Sequence, residues 1–176
     1  MRYNRAMTTL IKNALIIPMT EREKTLEAGI LIRDGIIAGI GNEDAEADEV
    51  IDASGMIAMP SFINAHTHLA MVLMRNYKDT AENLQDWLSE IFPIEDKLVD
   101  DDIYWASLLG AAELIDSGCT AFADMYFYAW NTVRAARSAG IRGIIGQTLF
   151  GDGAETRKRL SETVPIIDDA IGGSDM

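Results

Sequence analysis

The chain has 176 residues, 48% of them hydrophobic, with two histidines, one cysteine and a formal net charge of −13. That length and apolar content suit a globular protein with a core of ordinary domain size. The acidity argues against non-specific binding to nucleic acid or an anionic membrane surface, and a lone cysteine excludes an internal disulfide framework. The start of the chain carries Arg2 and Arg5, but no signal-type apolar block follows. No run of about 18 apolar residues is available to span a bilayer, so the expected location is the cytoplasm.

Residues 10–18 read as a strand. Residues 28–32 and 36–40 are apolar runs joined by Arg33-Asp34-Gly35, and Asp-Gly between such runs predicts a tight hairpin. Residues 43–49 form an acidic connector, expected as a solvated loop. Residues 50–52 and 56–58 are two further short strands around Ala53-Ser54-Gly55. The expected first domain is therefore a small β-sandwich unit over residues 1–58.

From Pro60 the pattern changes, and residues 59–176 are expected to form a second domain. Residues 63–68 close a buried strand. Leu84, Trp87, Leu88 and Ile91 share one face of a helix, and Pro93 is expected to stop that helix or to start the next turn. Asp100, Asp101 and Asp102 supply the N-cap and first-turn acids of a helix over 103–117 that Gly118 ends. Cys119, beside that helix end, is expected to be a buried small side chain. Residues 120–126 form a strand, 131–139 a helix closed by Gly140, and 141–149 another strand. Residues 156–170 are a last helix that Pro165 interrupts. The succession of strand, helices, strand, helix, strand, helix predicts an α/β fold, a parallel sheet with crossover helices. Three strands are too few to close a barrel, so the pattern reads as the front part of something larger.

The chemistry concentrates in Asn64-Ala65-His66-Thr67-His68, which uses both histidines of the chain. In an extended strand the i, i+2 spacing turns both imidazoles to one side, where one metal ion could take a nitrogen from each. The pair sits at the C-terminal end of the first strand of a βα series, where barrel enzymes place catalytic groups. Catalytic zinc typically keeps three protein ligands and a water, whose pKa it lowers to about 7. No Gly-rich phosphate loop, Gly-x-Ser-x-Gly elbow or His-x-Glu…Pro-Cys-x-x-Cys pattern accompanies it.

The run Pro60-Ser61-Phe62-Ile63-Asn64-Ala65-His66-Thr67-His68 resembles the first metal-binding strand of the amidohydrolase superfamily. Met74-Arg75, Asp86-Trp87-Leu88, Phe92-Pro93-Ile94-Glu95 and Phe122-Ala123-Asp124-Met125-Tyr126-Phe127 are similar to its 5-methylthioadenosine/S-adenosylhomocysteine deaminase branch and the related chlorohydrolases. The resemblance covers essentially the whole chain and corresponds to a little under half of a family member. It implies a partial (β/α)8 barrel, its first three strands, preceded by part of a β-sandwich. It also implies one divalent metal, zinc or iron, and hydrolytic release of ammonia from an adenosine-type nucleoside. On it, His66 and His68 are metal ligands, Glu95 accepts hydrogen bonds from ribose hydroxyls, Trp87 is an aromatic wall beside the substrate, and Arg157 is a substrate-binding arginine.

Read from their neighbours alone, Trp87 is core, Glu95 a surface charge and Arg157 part of a solvated basic cluster; Asp124 is given a structural role. The remaining family ligands and the general acid/base have no counterpart here, so no catalytic residue is assigned and the chain by itself is expected to be inactive. The alternatives are a guanine- or triazine-type aminohydrolase or chlorohydrolase, and a non-catalytic piece or half of a split enzyme. Its partner would be a second copy or a complementing C-terminal half.

Overall fold

A computed structural model describes residues 7–41, 44–149, 152–154, 156–158, 160, 161, 163 and 164. It divides into two units, Met1–Pro60 and Ser61–Met176.

The first unit is one sheet. Strands β1 (Thr8–Ile16), β2 (Leu26–Arg33), β3 (Ile36–Ile40) and β4 (Glu49–Asp52) lie in the order β3-β2-β1-β4, and β5 (Ile57–Ala58) also pairs with β1. The β2–β3 hairpin turns on Asp34 and Gly35, both at positive φ (50° and 75°), the backbone that the right-handed strand twist favours. Asn13 adopts φ 61° where the β1–β2 register slips. Asparagine tolerates that region, and its Nδ2 donates to Asp52 Oδ1 (2.8 Å). Ala14, Ile16, Ile30 and Ala53 form the buried face. Within the acidic connector, Asp48 is more than a solvated charge: it accepts from Thr8 N and Thr8 Oγ1 at 3.0 and 2.8 Å.

The second unit is a three-stranded parallel sheet, β6 (Phe62–Thr67), β7 (Cys119–Tyr126) and β8 (Arg142–Gln147), in that order. Between β6 and β7 run a short 3-10 helix (Leu69–Met74), α1 (Leu84–Glu95) and α2 (Asp100–Asp116); α3 (Ala129–Ala139) links β7 to β8. The α/β alternation expected from the sequence is present. Leu69, Ala111, Phe122, Ala136 and Ile141 form one core cluster, and Ala70, Ile103, Ala106 and Tyr126 a second. Gly110 of α2 lets the 3-10 helix approach closely: a Cβ there would lie 3.1 Å from both Leu69 Cδ2 and Leu69 O. Gly118 and Gly140 end α2 and α3 at φ 81° and 70°, as their positions after the last helical turn predict.

Several expectations are corrected. Strand β6 is not buried: Phe62 and Ile63 are 58% and 70% exposed. The helices cover only one face of the sheet. On the other, Ile63, Met125 and Ile144 are exposed, and among the described residues β6 pairs only with β7. Pro93 lies inside α1 rather than ending it. Its missing N–H removes a single bond near the C-terminus, a smaller loss than in mid-helix. The apolar face of α1 is graded, from buried Ile91 through half-buried Trp87 and Leu88 to exposed Leu84. The three aspartates all lie within α2, whose N-cap is Val99; the Asp102 carboxylate closes the turn by accepting from Val99 N (3.0 Å). Cys119 is half-buried and opens β7. Described residues between 153 and 164 are helical, while Pro165 and the rest of the expected last helix lie outside the described residues. No helix among the described residues is long and apolar enough to cross a membrane.

Candidate metal and substrate site

His66 lies near the end of β6 and His68 just after the strand, at the start of the 3-10 helix, and β7 provides the floor beside them. The rings of His66 and His68 lie edge to face with centroids 5.2 Å apart, so both imidazoles occupy one side of the strand end. Asn64 braces the turn by accepting from His66 N (3.1 Å). His68 Nδ1 lies 2.6 Å from Met125 O. A carbonyl oxygen only accepts, so Nδ1 carries the hydrogen and the lone pair of the neutral ring sits on Nε2. That tautomer is the one a metal-ligating histidine needs, with its other nitrogen held by a backbone carbonyl. The donor chemistry therefore fits a divalent metal of the zinc type. It fits as part of a site: among the described residues no group of three His, Cys, Asp or Glu side chains could hold an ion.

The inward face of β7 carries Phe122, Asp124 and Tyr126, all buried. Asp124 Oδ2 accepts from Leu69 N (3.2 Å), tying β7 to the start of the 3-10 helix. Its Oδ1 has no hydrogen-bond partner and lies 3.8 Å from His68 Nδ1. Burial pushes the Asp124 carboxyl above the usual carboxylate range, against the pull of the Leu69 N–H and His68. Two residues on, Tyr126 Oη donates to Glu95 Oε1 at 2.5 Å. Burial also raises Glu95, while the Tyr126 bond and nearby His68 pull it down. Burial and the Glu95 carboxylate together raise Tyr126 so far that it remains a donor at any working pH.

Of the residues singled out in the sequence, His66, His68 and Glu95 are brought into one neighbourhood. His68 and Tyr126 rings lie 6.3 Å apart, and Tyr126 holds Glu95. Glu95 is 8% exposed, which corrects its reading as a surface charge: the last turn of α1 carries it inward. Trp87 is half-buried on the same helix. Arg157 is exposed, its guanidinium alongside Gly153, and it makes no hydrogen bond to His66, His68, Glu95 or Tyr126 among the described residues. Asp124, read from the sequence as structural, and Tyr126, not singled out there, are the β7 residues that the fold brings beside His68 and Glu95. Their signal was present: with Phe122 they occupy alternate positions of an apolar strand, so two polar side chains share a face with a core phenylalanine.

The chain spans about two fifths of the length of the curated relatives it matches. One is the 5-methylthioadenosine/S-adenosylhomocysteine deaminase of Thermoanaerobacter pseudethanolicus, 42% identical over 163 residues, covering 89% of this chain and 38% of that protein. Two solved structures share the fold. The atrazine chlorohydrolase of Arthrobacter aurescens TC1 complexed with zinc superposes with a TM-score of 0.77 at 24% identity, over 91% of this chain and 42% of the other. An adenosine deaminase from Xanthomonas campestris with bound zinc gives 0.75 at 23% identity, over 88% and 38%. The amidohydrolase family pattern matches residues 57–172, two thirds of the chain with β6, β7 and β8 inside it, and the chain belongs to that family.

Proposed function

We propose that this chain is the front part of a metal-dependent deaminase of adenosine-type nucleosides. Residues 1–58 then belong to a composite β-sandwich, and 59–176 to the first three strands of a (β/α)8 barrel. The observation that carries the reading is the His66–His68 pair with the His68 tautomer set by Met125 O. The deaminase name of a 42%-identical relative supports the reaction class. A zinc or iron ion bound there supplies a Lewis acid and lowers the pKa of water toward neutrality.

The chain's own residues bind and orient. His66 and His68 present nitrogen ligands from a strand end, a more rigid base than a loop. Glu95 accepts hydrogen bonds from the ribose hydroxyls with the carboxylate oxygen that Tyr126 leaves free. Trp87 forms an aromatic wall, and Arg157 is a substrate-binding arginine. The remaining ligands and the proton shuttle come from sequence outside this chain or from a partner, a second copy or a complementing C-terminal half. The uncovered face and edge of β6–β8 support that reading, since a sheet with one bare face and an open edge offers both apolar area and unpaired backbone.

A bare heterocycle, handled by an aminohydrolase or chlorohydrolase, is the second reading. It is favoured by one observation: Glu95 is already held by Tyr126, as a purely structural carboxylate would be.

The test is zinc binding by the 176-residue chain, and ammonia release from 5-methylthioadenosine and S-adenosylhomocysteine with and without a complementing half from a related deaminase. Zinc binding lost in the His66→Asn/His68→Asn variant, with turnover only in the complemented sample, is the expected result. Undiminished zinc binding by that variant overturns the metal assignment. Release of ammonia from free purine bases but not from nucleosides overturns the ribose role of Glu95.

A further inference from the structure

Asp124 is a buried carboxylate with its side chain fully shielded from solvent. One oxygen is satisfied by Leu69 N, and the other has no partner. A buried anion needs hydrogen bonds or a cation to offset its lost hydration. The donor beside the unpartnered oxygen is the His68 Nδ1–H, 3.8 Å away and engaged with Met125 O. Met125 follows Asp124 in β7, so one strand segment delivers both a carbonyl and a carboxylate to the same ring edge. The Leu69 bond fixes the carboxylate's second oxygen, and Leu69 directly follows His68, so Asp124 is anchored to the peptide after the ligand histidine with its free oxygen 3.8 Å from the ring nitrogen.

We propose that Asp124 is a positioning residue for His68. It places negative charge behind a ring whose hydrogen Met125 O holds on Nδ1, making Nε2 a stronger ligand for a divalent cation. A cation on Nε2 in turn makes Nδ1–H a stronger donor, and it supplies the positive charge that the buried carboxylate lacks. Phe122, two residues earlier on the same face and 1% exposed, anchors the strand so that the carboxylate stays behind the ring. The inference rests on the metal site proposed above, and on no assumption about substrate.

The experiment uses the 176-residue chain labelled with nitrogen-15 in its histidine rings. Only two histidines are present, so a His66→Asn sample leaves His68 alone in the spectrum. Metal-free protein is expected to show a protonated Nδ1 and an unprotonated Nε2; the opposite tautomer overturns the proposal. Zinc affinity is then measured by competition with a chromophoric chelator for wild type and Asp124→Asn. The asparagine keeps an oxygen for Leu69 N, so a merely structural role leaves affinity and the Nδ1–H signal unchanged, which overturns the proposal. The expected result is affinity lower by about 10- to 100-fold, the usual effect of losing an outer-shell partner, with the Nδ1–H proton moved upfield. Should Asp124→Asn fail to fold, the wild-type chain still decides: its Nδ1–H proton must move downfield when zinc is added, and a stationary signal overturns the proposal. A wild-type chain that binds no zinc removes the metal reading itself, whereas equal binding by wild type and Asp124→Asn removes only the role of Asp124.

Discussion

Replacing Gly143 with alanine tests whether the strand that carries Asp124 is held where the structure places it. Gly143 lies opposite Phe122 in the β7–β8 register. A Cβ there would sit 2.8 Å from Phe122 Cζ, 3.0 Å from Cε1 and 3.1 Å from Ile145 Cδ1, well inside the 3.5–4.0 Å at which carbon atoms attract. Two effects oppose each other. Removing glycine from a strand gains about 0.5–1 kcal/mol of backbone entropy, while forcing a methyl group into a packed core costs about 1–3 kcal/mol. The overlap wins, because Phe122 is 1% exposed and hemmed in by Leu69, Ala111, Ala136 and Ile141.

Gly146 is the control. Its Cβ would meet nothing closer than 3.7 Å, so Gly146→Ala keeps the entropy gain without the clash. The two alanine variants should therefore differ by about 1–3 kcal/mol. Urea denaturation followed by tryptophan fluorescence reads this, since Trp87, Trp105 and Trp130 all belong to the second unit. Phe122→Leu should partly relieve the overlap, giving a coupling of roughly 0.5–3 kcal/mol in a double-mutant cycle. Equal midpoints for Gly143→Ala and Gly146→Ala, or strict additivity with Phe122→Leu, would refute the packing described here.

Three further outcomes follow from particular contacts. Tyr126→Phe removes the donor to Glu95 and leaves a buried carboxylate short of a bond, a loss of about 1–3 kcal/mol. Glu95 already titrates above its ordinary value, so the native state binds the extra proton and stability falls as pH rises from the unfolded value to the raised one. The substitution widens that window, which carbon-13 NMR of the carboxyl would show as an upward shift; an unchanged Glu95 titration would contradict the contact. Asp52 is held below its ordinary value by Asn13 and Ser54. Its contribution is thus present above the unfolded value and disappears as pH falls through the depressed native one. Asn13→Ala should move the Asp52 titration upward, and no movement would mean that the bulge does not reach it. Gly140→Ala imposes a left-handed conformation (φ 70°) on a residue with a Cβ, and should cost about 1–2 kcal/mol in the same urea assay; a stable variant would place the α3 C-cap in doubt.

The sequence by itself determined the local grammar of this protein. The Asp34-Gly35 turn, the glycines after α2 and α3, the alternation of strands and helices and the His-x-His strand end each depend on short-range stereochemistry, which a few neighbouring residues dictate. It also placed the two histidines on one side of a strand, because that follows from the two-residue period of extended chain. Only the tertiary structure decided which surfaces are covered. The apolar sequence of β6 reads as buried, yet burial depends on what packs opposite, and among the described residues the helices reach one face alone. Pro93 reads as a helix stop, but a proline near the end of a helix sacrifices one hydrogen bond, which packing around Ile91 outweighs. Glu95 reads as a surface charge beside Asp96 and Lys97; the parallel pairing of β6 and β7 brings Tyr126 to it from 31 positions away. Asp124 lies 56 residues beyond His68 in the chain and becomes its neighbour only through that same pairing, a long-range contact that no local pattern encodes.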